Sequence, residues 1–198
     1  MSFKYSLTGA SYAAMALLVV AAGAQSASAA IVPFDLLGRS GAGMRFDNEN
    51  PSATGTGSGG EVGAGITFDT VSKVLTINAQ WGSGNGFNNL TGSVTAAHLH
   101  QAANALFTTN GSIIFSLDGV TPGFNSSASS GGWTNTQVTL TAAQEAALNS
   151  GFLYLNAHTA ANGGGEIRGN IVAVPAPGAA ALLGLGGLIA TGLRRRRS

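Results

Sequence analysis

The segment from Lys73 to Trp81 constrains the fold most, because apolar and polar side chains alternate along it. Successive side chains of a β-strand point to opposite faces of the sheet, and alternation is typical of a strand that buries one face. One face receives Leu75, Ile77, Ala79 and Trp81, and the other receives Val74, Thr76, Asn78 and Gln80. We expect this strand to form an antiparallel hairpin with residues 65–69, and Trp81 to pack in the core rather than to stack on a sugar.

Other segments of strand length are separated by stretches rich in Gly, Asn and Ser. They cover residues 31–37, 94–100, 112–117, 152–159 and 167–172. Pro33 has no N–H to donate to a ladder, which favours an edge position for the first strand. The segment 45–60 contains many glycines and few large apolar residues, and we interpret it as a loop.

Residues 142–148 carry a helical signature. Thr141 can cap the first turn, Gln144 can return a hydrogen bond to Thr141, and Gly151 provides a C-terminal stop. Together these patterns predict an all-β fold, namely an antiparallel β-sandwich or barrel of immunoglobulin-like or superoxide-dismutase-like type with one short helix. Apolar helical segments are expected to flank this fold at both ends of the chain.

The first 29 residues have the three parts of a secretory signal peptide. Lys4 supplies a positive charge, residues 13–22 form an apolar run, and Ala27-Ser28-Ala29 offers the small side chains that signal peptidase requires. We therefore expect an exported protein, with residues 1–29 as signal peptide, 30–173 as the mature domain and 174–198 as a C-terminal signal.

This C-terminal signal combines a Pro-containing stretch, an apolar segment and a run of arginines. Its apolar segment, residues 179–193, would span about 22 Å as a helix, less than the roughly 30 Å of a bilayer core, which favours a transient membrane anchor. The arginines are expected to stay on the cytoplasmic side. The defining residues are Val174, Pro175, Pro177, Arg194, Arg195, Arg196 and Arg197.

The three-part order resembles the PEP-CTERM sorting signal, although Ala176 stands where that motif usually has a glutamate. The resemblance implies processing by an exosortase after an inner-membrane-anchored intermediate. It also implies a final location at the cell surface or in an extracellular, biofilm-type matrix. Exopolysaccharide or surface proteins are then the expected partners.

The charge between the two signals argues against nucleic acid as a partner. The whole chain carries a net charge of +1 at pH 7, but residues 30–174 contain four basic and eight acidic residues, which gives −4. Such a body is repelled by phosphate backbones. The chain also has no cysteine, so the exported domain must be held together by burial rather than by disulfides.

The three histidines of the chain are candidates for a metal site. His98 and His100 are two residues apart and should share one face of a strand. If His158 joins them, three imidazoles could hold copper or zinc, the metals that suit this ligand type. Glu166 could then orient one of the histidines from behind.

The same residues are also compatible with a purely structural role. A neutral imidazole offers one donor and one acceptor, and His158 could satisfy both on Asn156, Thr159 or Glu166. Arg168 could be a buried structural cation in the neighbouring strand. In that interpretation the protein has no cofactor.

Three segments of the body resemble the CHRD domain, which is named for chordin. They read AHLH at 97–100, LTAAQE at 140–145, and YLNAHT at 154–159 followed by GGEIRG at 164–169. Glu166, Arg168 and Gly169 belong to the last and most specific of these segments. The resemblance covers about residues 33–172, and it implies a β-sandwich and a structural or binding role outside the cell, with no established enzymatic activity.

The order of the histidines is also similar to that of copper-zinc superoxide dismutases, which have a His-x-His strand, a later histidine and an arginine near the C-terminus. This chain has no further histidine to bridge a second metal and no cysteine for that family's disulfide, so the similarity implies at most one metal. The sequence shows no Ser/His/Asp arrangement and no P-loop lysine. We predict no catalytic residues and no enzyme, with a metal-binding, redox-active protein that uses His98, His100 and His158 as the alternative.

Overall fold

The structure, a computed structural model, describes residues 30–46, 55–105, 107, 109–119 and 122–174. These residues contain eleven β-strands, one α-helix and a single 3₁₀ turn at Ser83–Asn85. The strands are β1 (Ile31–Gly38), β2 (Gly41–Ala42), β3 (Met44–Arg45), β4 (Ser58–Asp69), β5 (Val74–Trp81), β6 (Val94–Ala102), β7 (Gly111–Ser116), β8 (Phe124–Asn125), β9 (Gly132–Thr139), β10 (Leu153–Thr159) and β11 (Ile167–Ala173). The helix α1 spans Ala142–Asn149.

All eleven strands belong to one sheet, whose path runs β7–β6–β10–β11–β1–β4–β5–β9–β8, with β2 and β3 attached beside it. The two ends of this path meet. Trp133 on β9 donates its ring N–H to the carbonyl of Leu117, just after β7, at 3.3 Å, and Val94 at the start of β6 donates its backbone N–H to Ser126, just after β8. The sheet therefore curls around a shared core, and the predicted antiparallel β-fold with one short helix is confirmed.

The alternation of the first segment is confirmed in β5. The side chains of Leu75, Ile77, Ala79 and Trp81 are fully buried. Trp81 packs edge-on against Trp133, with ring centroids 5.1 Å apart, and its ring N–H donates to the carbonyl of Ser127 at 2.8 Å. Both indole rings are therefore core residues.

The edge position expected for β1 is wrong, because this strand lies between β4 and β11. Pro33 stands opposite Thr67 on β4, whereas the pairing with β11 reaches only to Phe34. Pro33 therefore has a paired neighbour on one side only, and its missing N–H removes no bond from the β11 ladder.

The prediction of a loop over residues 45–60 is wrong at both ends, because β3 includes Arg45 and β4 already begins at Ser58. The glycines here allow strands to approach closely. A Cβ on Gly43 would lie 2.3 Å from the carbonyl oxygen of Gly59, and a Cβ on Gly59 would lie 2.6 Å from that of Gln80. Packing requires glycine at both positions, and Gly43 also has φ 82°, a backbone conformation that favours glycine. Residues 47–54 lie outside the described residues.

The predicted helix is confirmed with its capping box. The Thr141 hydroxyl accepts from the backbone N–H of Gln144 at 3.3 Å, and the Gln144 side chain accepts from the backbone N–H of Thr141 at 2.9 Å. Gly151 has φ 71°, the left-handed conformation that follows many helix ends.

The predicted signal peptide and nearly all of the predicted sorting signal lie outside the described residues, which end at Val174. Over the described ranges, no helix has the length and apolar character needed to cross a membrane.

Candidate metal centre

The pairing of β6 with β10 brings the two histidine patches together. His98 stands opposite Asn156, and His100 stands opposite Tyr154. Since side chains two residues apart share a face, all four point to one side of the sheet, and the intervening residues point to the core. The core-facing residues are Ala97, Leu99, Leu155 and Ala157, all fully buried.

The three imidazoles form one cluster. Nδ1 of His98 lies 3.0 Å from Nε2 of His158, and the ring centroids of His98 and His100 are 5.3 Å apart. One ring nitrogen from each histidine can be chosen so that all three lie within 4.8 Å of one another. His100 and His158 are buried and His98 is half-buried. The structure thus places all three sequence-predicted candidates in one site.

Two of the rings are held from behind by backbone carbonyls. Nδ1 of His158 lies 3.0 Å from the carbonyl oxygen of Gly163, and Nδ1 of His100 lies 2.9 Å from that of Gly111. A carbonyl only accepts, so each Nδ1 carries the hydrogen and donates. The lone pair of each neutral ring then lies on Nε2, the arrangement that most protein histidines use when they bind a metal.

Asn156 lies among the rings and is 1 % exposed. Its Oδ1 is 3.0 Å from Nε2 of His158, and its side chain also raises the pKa of His100. Across the next pair of strands, Asn156 stands opposite Arg168 on β11. Asn156 is therefore the residue that connects the histidines to the rest of the polar face.

The environment favours the neutral form of two rings. Burial lowers the pKa of His98, and the nearby His158 and His100 lower it further, while Asp118 opposes them. Burial is also the main cause that lowers the pKa of His100, with a contribution from the charge of Arg168. Neutral imidazole is the form that binds metals.

Tyr154 and Arg168 form one wall of the site. The Tyr154 ring stacks on His100 with centroids 4.7 Å apart, and the guanidinium carbon of Arg168 lies 3.6 Å from the Tyr154 centroid. Arg168 also donates to Asn170 at 3.2 Å and to the carbonyl of Thr109 at 3.1 Å. Arg168 is buried, and its side chain stabilises the polar face through stacking and hydrogen bonds.

Glu166 is placed differently from the expectation that it orients a histidine. Its carboxylate accepts from the hydroxyls of Thr91 and Thr159 at 2.5 and 2.6 Å, from the backbone of Thr91 at 2.8 Å and from Asn162 at 3.1 Å. These bonds connect the end of β10 to the loop before β6. Thr91 and Asn162 were not identified from the sequence, because nothing in their local pattern marks them as carboxylate partners.

Gly169, the last residue of the motif, is required by close packing. A Cβ at this position would lie 3.0 Å from the Met44 side chain and 3.3 Å from the carbonyl oxygen of Gly43. The glycine therefore allows β3 and its preceding turn to lie against β11.

Three imidazole nitrogens suit zinc or copper. Zn–N bonds of about 2.0–2.1 Å place tetrahedral ligand nitrogens roughly 3.3 Å apart. The pair formed by His98 and His158, at 3.0 Å, is already near this distance. The 4.8 Å limit of the cluster exceeds this distance, so the three nitrogens would have to move closer together to bind one ion.

Comparison with known proteins identifies the family. The sequence model of the CHRD domain matches residues 41–171, well over half of the chain. No curated protein and no solved structure matches. The matched range contains β6, β10 and all three histidines. The chain therefore belongs to the CHRD domain family.

Proposed function

We propose that this protein is an exported CHRD module with a structural or binding role at the cell surface or in the extracellular matrix, and that it binds one zinc or copper ion through His98, His100 and His158. Membership of the CHRD family suggests the extracellular role. The metal is supported by the cluster itself.

One observation carries the metal proposal: His98 and His158, sixty residues apart in sequence, present Nδ1 and Nε2 to each other at 3.0 Å. His100 contributes a third nitrogen within 4.8 Å. Backbone carbonyls hold the rings of His100 and His158 by their Nδ1 atoms, so the lone pairs of both rings lie on Nε2. Contacts of this kind fix the tautomer and the orientation of both ligand rings.

The expected consequence is a more stable domain. An ion bound only by the folded state stabilises it by about 2.7 kcal/mol when its concentration is one hundred times the Kd. In a chain without cysteine, such an ion would connect β6 and β10 where a disulfide is not available.

Elemental analysis tests this proposal. The purified protein is loaded with Zn²⁺ or Cu²⁺, desalted and analysed for bound metal. We expect about one equivalent in the wild type and, because three nitrogens define the site, less than about a tenth in His98→Ala and in His158→Ala. Gln101→Ala, a change next to His100 on β6, is the matched control and should keep the full equivalent. Loss with only one of the two histidine variants, or no metal in the wild type, would overturn the proposal.

We also propose that signal peptidase and an exosortase process the two ends of the chain. The support is the order of Pro-containing stretch, apolar segment and arginine run in residues 174–197. Deleting Arg194–Arg197 should impair retention before sorting, because these charges stop transfer across the membrane. Unchanged fractionation of that variant between membrane, surface and medium would contradict the sorting proposal without affecting the metal proposal.

A further inference from the structure

Asn156 occupies a position that its hydrogen bonds do not explain. Its Oδ1 lies 3.0 Å from Nε2 of His158, and its side chain also interacts with His100. Its amide nitrogen is buried and has no hydrogen-bond partner among the described residues. A buried polar atom of this kind has a free-energy cost unless another ligand or arrangement compensates for it.

The contacts of the two histidines sharpen the problem. Each donates its Nδ1 hydrogen to a backbone carbonyl, His158 to Gly163 and His100 to Gly111. When His158 is neutral, it has one hydrogen, and its Nε2 then presents a lone pair to Oδ1 of Asn156. Two acceptors at 3.0 Å repel each other, and a metal ion between them, a proton on Nε2 or a turned amide would each remove this repulsion.

We infer that Asn156 is the fourth ligand of the ion, coordinating through Oδ1, so that the site is a closed His₃Asn centre. This inference rests on the proposed metal function. Structural metal sites have a complete set of four protein ligands, whereas catalytic sites keep one position for water or substrate. The His₃Asn set therefore assigns the ion a structural role.

The donor set also narrows the choice of ion. Imidazole nitrogen and amide oxygen suit Zn²⁺ and Cu²⁺, whereas Cu⁺ prefers thiolate and thioether ligands. We expect the site to bind the divalent ions and to discriminate against Cu⁺. Asn156 on β10 stands opposite His98 on β6. An ion bound to both residues would therefore link the two strands at this pair.

A different arrangement serves as the competing explanation. If the amide is turned by 180°, its NH₂ group faces the rings and can donate to Nε2 of His158, and the site is then a satisfied structural network that needs no ion. The two arrangements make opposite demands on residue 156. If Asn156 is a metal ligand, replacing its amide by a carboxylate should strengthen metal binding. If Asn156 is a hydrogen-bond donor, the same replacement removes the donor.

The test uses the full chain with Zn²⁺ affinity and the visible spectrum of bound Co²⁺ as readouts. We expect Asn156→Ala to keep about one equivalent of metal but to weaken Zn²⁺ binding by at least about tenfold, and to shift the Co²⁺ spectrum as water replaces the amide oxygen. Asn156→Asp should bind Zn²⁺ more tightly than the wild type, because a carboxylate adds a charged ligand. Asn78→Ala, a change at a half-buried asparagine on β5 whose amide donates to the carbonyl of Gly65, is the matched control and should leave affinity and spectrum unchanged.

Two failures are distinguishable. If the wild type binds one equivalent that His98→Ala removes, but Asn156→Ala has wild-type affinity and Asn156→Asp binds no more tightly, then Asn156 is only a hydrogen-bond donor and the inference is overturned while the proposed function stands. If the wild type binds no metal, both are overturned. Thermal unfolding of each variant in chelator shows that the altered residue, rather than loss of the fold, causes any change in affinity.

Discussion

Tyr154 stands directly opposite His100 in the β6–β10 pair, and their rings stack with an interplanar angle of 7°. The Tyr154 hydroxyl accepts from the backbone N–H of Gly111 at 3.0 Å, while Nδ1 of His100 donates to the carbonyl of the same residue. Arg168, on the strand at the other side of β10, covers the Tyr154 ring. Tyr154, Arg168 and Gly111, the first residue of β7, therefore form a unit that positions the His100 ring.

This unit gives a prediction for Tyr154. Tyr154→Phe keeps the stacking and loses the hydroxyl, so we expect the free energy of unfolding to fall by about 1 kcal/mol. Tyr154→Leu also loses the contacts with His100 and Arg168, and we expect a fall of about 3 kcal/mol. Chemical denaturation measures both values. Equal losses in the two variants would show that the stacking contributes nothing.

Glu166 gives a second prediction, because its carboxylate is fully buried and accepts from hydroxyl, amide and backbone donors. In Glu166→Gln the side chain keeps its shape, but an NH₂ group replaces one acceptor and the charge is lost. We expect a loss of about 3 kcal/mol in the free energy of unfolding. Glu145→Gln is the control. It breaks the partly exposed ion pair with Lys73 and should cost less than about 1 kcal/mol. Similar losses in both variants would contradict the role assigned to Glu166.

The strands with a clear hydrophobic pattern could be predicted from the sequence, and those built from glycine or polar residues could not. The alternation in β5 and the capping box of α1 are local signals, and the structure confirms both. By contrast, β9 contains many polar residues, has Asn135 at φ 52° and is a strand because it pairs with β5. The interior position of Pro33 likewise depends on where two neighbouring ladders end, which no local pattern encodes.

The candidate site shows the same division. The shared face of His98 and His100 follows from the period of a strand. Their approach to His158 depends on the pairing of β6 with β10, a contact between segments about sixty residues apart that sequence alone leaves open. Glu166 was expected to orient one of the metal-binding histidines. It lies before β11 begins at Ile167, and its carboxylate therefore contacts the loop near Thr91.

The helix cap gives a third prediction. Thr141→Ala removes the acceptor for the Gln144 backbone N–H, and we expect the free energy of unfolding to fall by about 1 kcal/mol. Thr139→Ala, at an exposed position near the end of β9, is the control and should change stability by less than about 0.5 kcal/mol. Urea denaturation curves of the two variants provide the measurement. A larger loss in Thr139→Ala would contradict the importance of the cap.

The histidine cluster predicts how the stability of the metal-free protein depends on pH. Burial and neighbouring charge lower the pKa of His98 and of His100 below the ordinary 6.5. His158 and Arg168 contribute to this lowering, and Asp118 opposes it at His98. The unfolded chain therefore binds more protons at mildly acidic pH, so the stability from these rings is present above the unfolded pKa and is lost as the pH falls through the folded values.

In chelator, we expect a constant denaturation midpoint from about pH 8 to pH 7 and a fall from about pH 6.5 to pH 5, a range above the ordinary pKa values of carboxylates. The double variant His98→Gln/His100→Gln should show a flatter profile over the same range. A wild-type midpoint that stays constant or rises between about pH 7 and pH 5 would contradict the neutral state of these rings.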